Sequence, residues 1–142
     1  GVNSGFMITQ YAAASLASEN KILSHPASVD SITSCENQED FVSMGTTAAR
    51  TARDIVNNSR RIVATEIMAA CQAIEFVSDR GVLGKGTQVA YDTFRKYVSV
   101  IENDKDIEIY DELEKATEVL TSGNLLKAVE AVVDLEIEFD FK

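Results

Sequence analysis

Between Gly45 and Phe76 apolar residues return at helical spacing without a single Pro or Gly to interrupt them after Gly45. Ala49, Ala52, Val56, Val63, Ile67, Ala70 and Ile74 fall on one side of a helix, and Ile55 and Ile62 widen that stripe. Arg60 occupies the one slot that the stripe leaves polar, where a long side chain can lay its stem along apolar surface and keep its charge in water. Glu66, beside Ile67, reads as a structural side chain rather than a catalytic one. A helix of roughly 30 residues is about 45 Å long. That is long for a compact domain of 142 residues, so the pattern predicts an all-α chain, a long-helix bundle that is one part of a larger helical assembly.

The segment before it makes the same demand. Asn3 or Ser4 can cap a helix starting near Gly5. From Phe6 to Leu16 that helix is apolar nearly all round, with three adjacent alanines at 12–14 that let neighbours approach closely. A helix without a polar face is a buried one, so residues 1–24 are expected to be surrounded on all sides, and a chain of this size has difficulty doing that alone. His25–Pro26 ends it, because the residue before a proline is pushed towards extended backbone.

Beyond the long helix, assigned to 46–77, Asp79–Arg80–Gly81 forms a stop. Gly84-Lys85-Gly86-Thr87 lacks the first glycine and the preceding strand of a phosphate-binding loop, and reads instead as a turn. Residues 84–142 then give peripheral helices near 87–101, 111–121 and 125–135, with Gly123 closing the second and a charged linker at 102–106. In the tail Leu135, Ile137, Phe139 and Phe141 alternate with acids, a strand pattern in an extended tail.

A formal charge of −10 excludes a general nucleic-acid surface, which needs clustered Lys and Arg. The acids concentrate after Glu102, where they serve as solvated helix faces. No apolar run reaches membrane-spanning length. Cys35 and Cys71 are too few and too far apart for a metal motif or a disulfide framework, so no metal is expected and a reduced, cytoplasmic chain is. Gly1–Val2–Asn3 reads as the interior of a longer protein.

The stretch from His25 to Gly45, HPASVDSITSCENQEDFVSMG, is denser in polar residues than a connection between helices requires. Long polar loops in helical proteins are commonly functional. His25 stands alone, without a second ligand or an oxyanion hole for a Ser28–His25–Asp30 arrangement, and is read as structural. Ser28, Asp30, Ser31, Thr33 and Ser34 suit local bonds to loop backbone. Glu39 is the candidate for chemistry: a carboxylate in a partly apolar loop can move a proton or hold a cationic group, and Asn37 and Gln38 can orient it without adding charge. The bland alternative makes Asn37-Gln38-Glu39-Asp40 a solvated start to the long helix, with acids at its positive end.

The sequences GVNSGFMITQ, SENKILSHPASVDS, NQEDFVSMG, RRIVATEIMAACQAIEF, LGKGTQVAYD and TSGNLLKAVE, in that order, resemble the C-terminal part of the histidine/aromatic amino-acid ammonia-lyase family over nearly the whole chain. The resemblance implies a mainly helical subunit in a homotetramer whose active sites draw on several subunits. It implies a small amino-acid substrate, histidine by the likeness, and non-hydrolytic loss of ammonia. The prosthetic group would be 4-methylidene-imidazol-5-one, formed in that family from an Ala-Ser-Gly segment, which this chain does not contain. The family's Gln-Glu-Asp approaches that group, so the implied roles are catalysis and substrate binding for Glu39 and substrate binding for Gln38. The family pattern carries His where this chain has Phe41, and Pro where it has Thr33. A tyrosine or phenylalanine lyase, an aminomutase, or a non-enzymatic acidic helical interaction domain are the alternatives.

Overall fold

The computed structural model describes residues 4–29, 32–77, 83–102 and 109–135. Five helices follow in order: α1 (Gly5–Leu23), α2 (Gly45–Glu75), α3 (Lys85–Arg95), α4 (Ile109–Thr121) and α5 (Asn124–Glu130). The chain is all-α. α2 has 31 residues, within two of the expected limits at each end. α3 and α5 stop earlier than their patterns suggested: α3 passes into turns over 96–98, and α5 into turns after Glu130. The stop at 79–81, most of the charged linker and all of the alternating tail after Leu135 lie outside the described residues.

Two compact units divide the chain, Met7–Ile62 and Gly1–Phe6 with Val63–Lys142. In the first, polar side chains join α1 to α2. Asn58 Nδ2 donates to Glu19 Oε2 at 2.9 Å and to Asn20 Oδ1 at 3.1 Å, while Asn20 Nδ2 reaches Ser59 Oγ at 3.4 Å. α1 ends where Pro26 requires, and Ser24 Oγ covers the carbonyl of Lys21 at 2.8 Å, one of the acceptors a helix end leaves open. The helix that composition places in a fully apolar setting keeps Met7, Ile8, Tyr11 and Ile22 exposed in this chain, with Thr9 its one fully buried residue. The chain itself does not supply the surroundings that such a helix demands.

The second unit packs the end of α2 against α3, α4 and α5. Ala64, Met68, Cys71, Phe94, Val98, Ala116 and Val119 form its buried centre, flanked by Phe6, Ile67, Tyr91 and Leu113 among others. The stripe read from the sequence is only partly covered in this chain. Val56 and Val63 are 47% and 41% exposed, and Ala49, Ala52 and Ala70 are exposed too. The packed side is one residue's step further round, about 100°, with Ile67 at its edge. Val56 and Val63 mark a face that this chain leaves open, while Ile55, Ile62, Ile67 and Ile74 are partly buried. α3 meets α5 and the turn after it at Gly86, where a Cβ would stand 3.5 Å from Val129 Cγ1 and 3.2 Å from Val133 Cγ2. Gly123, at φ 74°, turns the chain from α4 into α5 in the left-handed region its lack of a Cβ permits.

The segment after α3 has no regular partner, yet its backbone groups are paired by side chains. Gln72 Nε2 donates to Ile101 O and Ile101 N–H donates back to Gln72 Oε1, both at 3.0 Å. Arg95 Nη1 donates to the carbonyls of Val98 and Ser99 at 3.4 and 3.0 Å. Glu112 Oε2 accepts the Ser99 N–H at 2.8 Å, and Glu112 Oε1 the Lys115 ammonium at 2.6 Å. Burial pushes the Glu112 carboxyl up, but the bonds from Lys115 and Ser99, with the charges of Lys115 and Arg95, outweigh it and hold the carboxyl below its ordinary value.

Two outcomes follow for this unit. Gln72→Leu keeps the bulk but strands both backbone groups of Ile101, at about 1–3 kcal/mol each. A lowered urea midpoint at unchanged slope is the expected reading; an unaltered midpoint would remove Gln72 from this role. Glu112 contributes stability that is complete above the ordinary carboxylate range, because its folded value is depressed, and is lost as pH falls through that folded value. Unfolding followed from neutral to acid pH should therefore show a decline that Glu112→Gln flattens.

Candidate active-site loop

Pro26 turns the chain out of α1, and residues 32–40 are exposed throughout. Within them the backbone closes on itself once. Ser34 N–H donates to Glu39 O at 2.9 Å and Glu39 N–H donates to Ser34 O at 3.2 Å, a single antiparallel bridge. Gln38 N–H closes the turn between them on Cys35 O at 3.0 Å. Inside that turn Cys35, Glu36 and Asn37 have φ of 51°, 54° and 67°. Three adjacent left-handed residues without a glycine are unusual, since the Cβ opposes this conformation by about 1–2 kcal/mol per residue. Asn suits it best of the three. Strain of this kind persists only where surrounding contacts hold it, and it gathers at functional sites.

Glu39 therefore sits where a short hairpin closes, with its carboxylate open to solvent. Its Oε2 accepts a hydrogen bond from Ser34 Oγ at 3.3 Å. Gln38 is exposed on the turn beside it, and Phe41, two residues past Glu39, is 83% exposed. The helix-start reading of these acids does not fit the fold. α2 begins at Gly45 and has no acid in its first turn, while the field of a helix end fades within one turn. His25 is exposed in the bend that follows α1, and its N–H bonds Ile22 O at 3.2 Å. Asp30 and Ser31 lie outside the described residues.

A second polar cluster was not singled out from sequence. Tyr91 OH donates to Glu75 Oε1, and Arg95 Nε lies 3.4 Å from the same oxygen, with both charged side chains nearly buried. The guanidinium stands 5.7 Å from the centre of the Tyr91 ring. The bond to Glu75, then burial, pushes the Tyr91 phenol up; burial pushes the Cys71 thiol up, with Arg95 opposing and Glu75 assisting. A thiol so placed is unreactive. The four-residue spacing of Tyr91 and Arg95 was available as a signal, but Glu75, their common partner, lies on another helix. This cluster ties α2 to α3.

Residues 1–96 match the family model described as aromatic amino acid lyase. The histidine ammonia-lyase of Streptococcus pyogenes serotype M49 (strain NZ131) is 71% identical over 139 residues, 98% of this chain and 27% of that protein. The histidine ammonia-lyase of Streptococcus sanguinis (strain SK36) is 70% identical over the same shares. The chain thus spans about a quarter of the length of these curated relatives. Among solved structures, histidine ammonia-lyase from Trypanosoma cruzi superposes with a TM-score of 0.86 at 39% identity, over 96% of this chain and 26% of that one. Tyrosine aminomutase from Streptomyces globisporus gives 0.87 at 32% identity, over 97% and 26%. By the family match over more than half its residues, and by likeness in both sequence and fold, the chain belongs to the aromatic amino acid lyases.

Proposed function

We propose that this chain is the C-terminal part of a histidine ammonia-lyase, and that its loop forms one wall of a site where L-histidine loses ammonia to give urocanate. The observation that carries the site assignment is the placement of Glu39. Its carboxylate is presented at the closure of a strained hairpin, too far ahead of α2 to serve as a helix-end charge. The substrate assignment draws on the 70–71% identity to streptococcal histidine ammonia-lyases, against 32% to the tyrosine aminomutase.

In the elimination the Cα–N bond breaks, ammonia leaves with the electron pair, and a proton departs from Cβ. Glu39 takes a proton or holds the cationic group of the substrate, and Gln38 offers an amide donor and acceptor beside it. The prosthetic group 4-methylidene-imidazol-5-one supplies the electrophile when present. No Ala-Ser-Gly occurs in this chain, so its precursor belongs to another part of the lyase. An exposed amide next to an exposed carboxylate is a donor and acceptor set suited to a polar amino acid held against such a group. Exposed apolar residues on two helices, Met7, Ile8 and Tyr11 on α1 and Val56 and Val63 on α2, fit a homotetrameric helical core. The described residues contain no helix long and apolar enough to cross a membrane. The free thiols Cys35 and Cys71 suit the cytoplasm.

The exposed ring of Phe41 supports a second reading, a lyase or aminomutase acting on an aromatic amino acid. Ultraviolet assay with L-histidine, L-tyrosine and L-phenylalanine separates the two, because urocanate, coumarate and cinnamate absorb differently. The site itself is tested by Glu39→Gln in the whole lyase. Losing an acid–base group should lower kcat about 10²–10⁴-fold. kcat/KM should fall in step, with Tm and the prosthetic-group absorbance unchanged. Asp40→Asn is the control; equally mild effects of both substitutions would return the loop to a structural role.

A further inference from the structure

The loop holds its carboxylate in a particular way, and the residue that does so is not one the family resemblance assigns. We infer that Ser34 is the positioning residue for Glu39, an inference that rests on the catalytic reading of Glu39 given above. Ser34 and Glu39 exchange both backbone hydrogen bonds, at 2.9 and 3.2 Å. A pair bonded in this way stands directly opposite across the bridge, with both side chains on one face. The Ser34 hydroxyl uses that placement and donates to Glu39 Oε2 at 3.3 Å. Three contacts thus converge from one residue on another, two fixing the backbone from which the carboxylate springs and one fixing an oxygen of the carboxylate itself.

The turn between them explains why this register is the one adopted. Cys35, Glu36 and Asn37 all lie in the left-handed region, and through them the chain returns in four residues to pair Glu39 with Ser34. The strain of the turn is held by the bridge, and the bridge places the hydroxyl. A glutamate has three side-chain torsions to order, and a fixed hydrogen-bond donor at one oxygen narrows their range before substrate arrives. A misplaced catalytic group loses rate even when binding is intact.

The test is a double-mutant cycle in the whole lyase, with L-histidine as substrate and urocanate absorbance as the readout. Ser34→Ala should lower kcat about 3- to 20-fold with KM little changed. Ser34→Thr, which keeps the hydroxyl, should restore most of it. In a Glu39→Gln background Ser34→Ala should have almost no further effect, since a positioning residue has nothing left to position. Tm and the prosthetic-group absorbance should not move in any variant. The inference is overturned if Ser34→Ala is silent while Glu39→Gln is severe, or if the Ser34→Ala loss persists undiminished beside Glu39→Gln. It is also overturned if Thr fails to rescue. A mild Glu39→Gln would instead remove the catalytic reading itself, and this inference with it.

Discussion

α2 sets the terms for the rest of the chain. Thirty-one residues of uninterrupted helix carry apolar side chains over far more of their circumference than this polypeptide covers. Near its C-terminal end the helix spends Ala64, Met68 and Cys71 on a core with α3 and α4. Val56 and Val63 remain turned to solvent on another side. Because burial of apolar area is the main favourable term in folding, the side chains left open in this way forgo that gain here. α1, with Met7, Ile8 and Tyr11 exposed, has the same property. α1 and α2 thus each leave large apolar side chains uncovered in this chain.

The loop between α1 and α2 obeys a different logic. Its residues gain little from burial, so its shape comes from hydrogen bonds and backbone torsions. One bridge and one turn bond hold Cys35, Glu36 and Asn37 in a conformation each would avoid alone. The consequence is a short hydrogen-bonded feature within the loop, and it carries Gln38 and Glu39. Glu75, Tyr91 and Arg95 show the complementary case, a buried polar cluster whose charges pair with one another and fasten two helices.

Much of the fold was legible in the sequence, and its limits are instructive. Pro26 and Gly123 marked a helix end and a left-handed turn through backbone sterics that no tertiary contact overrides. The course of α2 was legible because nothing in it breaks a helix. Its packed side was not, because Ala64, Cys71 and Gln72 are small or polar and give little hydrophobic contrast beside Val and Ile. Gln72 is buried because Ile101 pairs both ends of its amide, a long-range arrangement without a local signature. The hairpin at Ser34 and Glu39 escaped for a similar reason: its turn contains no glycine to announce positive φ. Glu39 itself could be nominated from chemistry, but the preference for a catalytic role came from family likeness rather than from spacing.

The stretch from Val98 to Ile101 has one more consequence. Its amides at Ser99 and Ile101 are held by Glu112 and Gln72, side chains from α4 and α2, and not by a helix or sheet of their own. In ordinary secondary structure an amide hydrogen escapes to solvent when its own element frays. Here it escapes when the Glu112 or Gln72 side chain, rather than an element of its own, lets go. Isotope exchange at these two positions would therefore report how firmly one side chain of α2 and one of α4 hold this segment, each read separately.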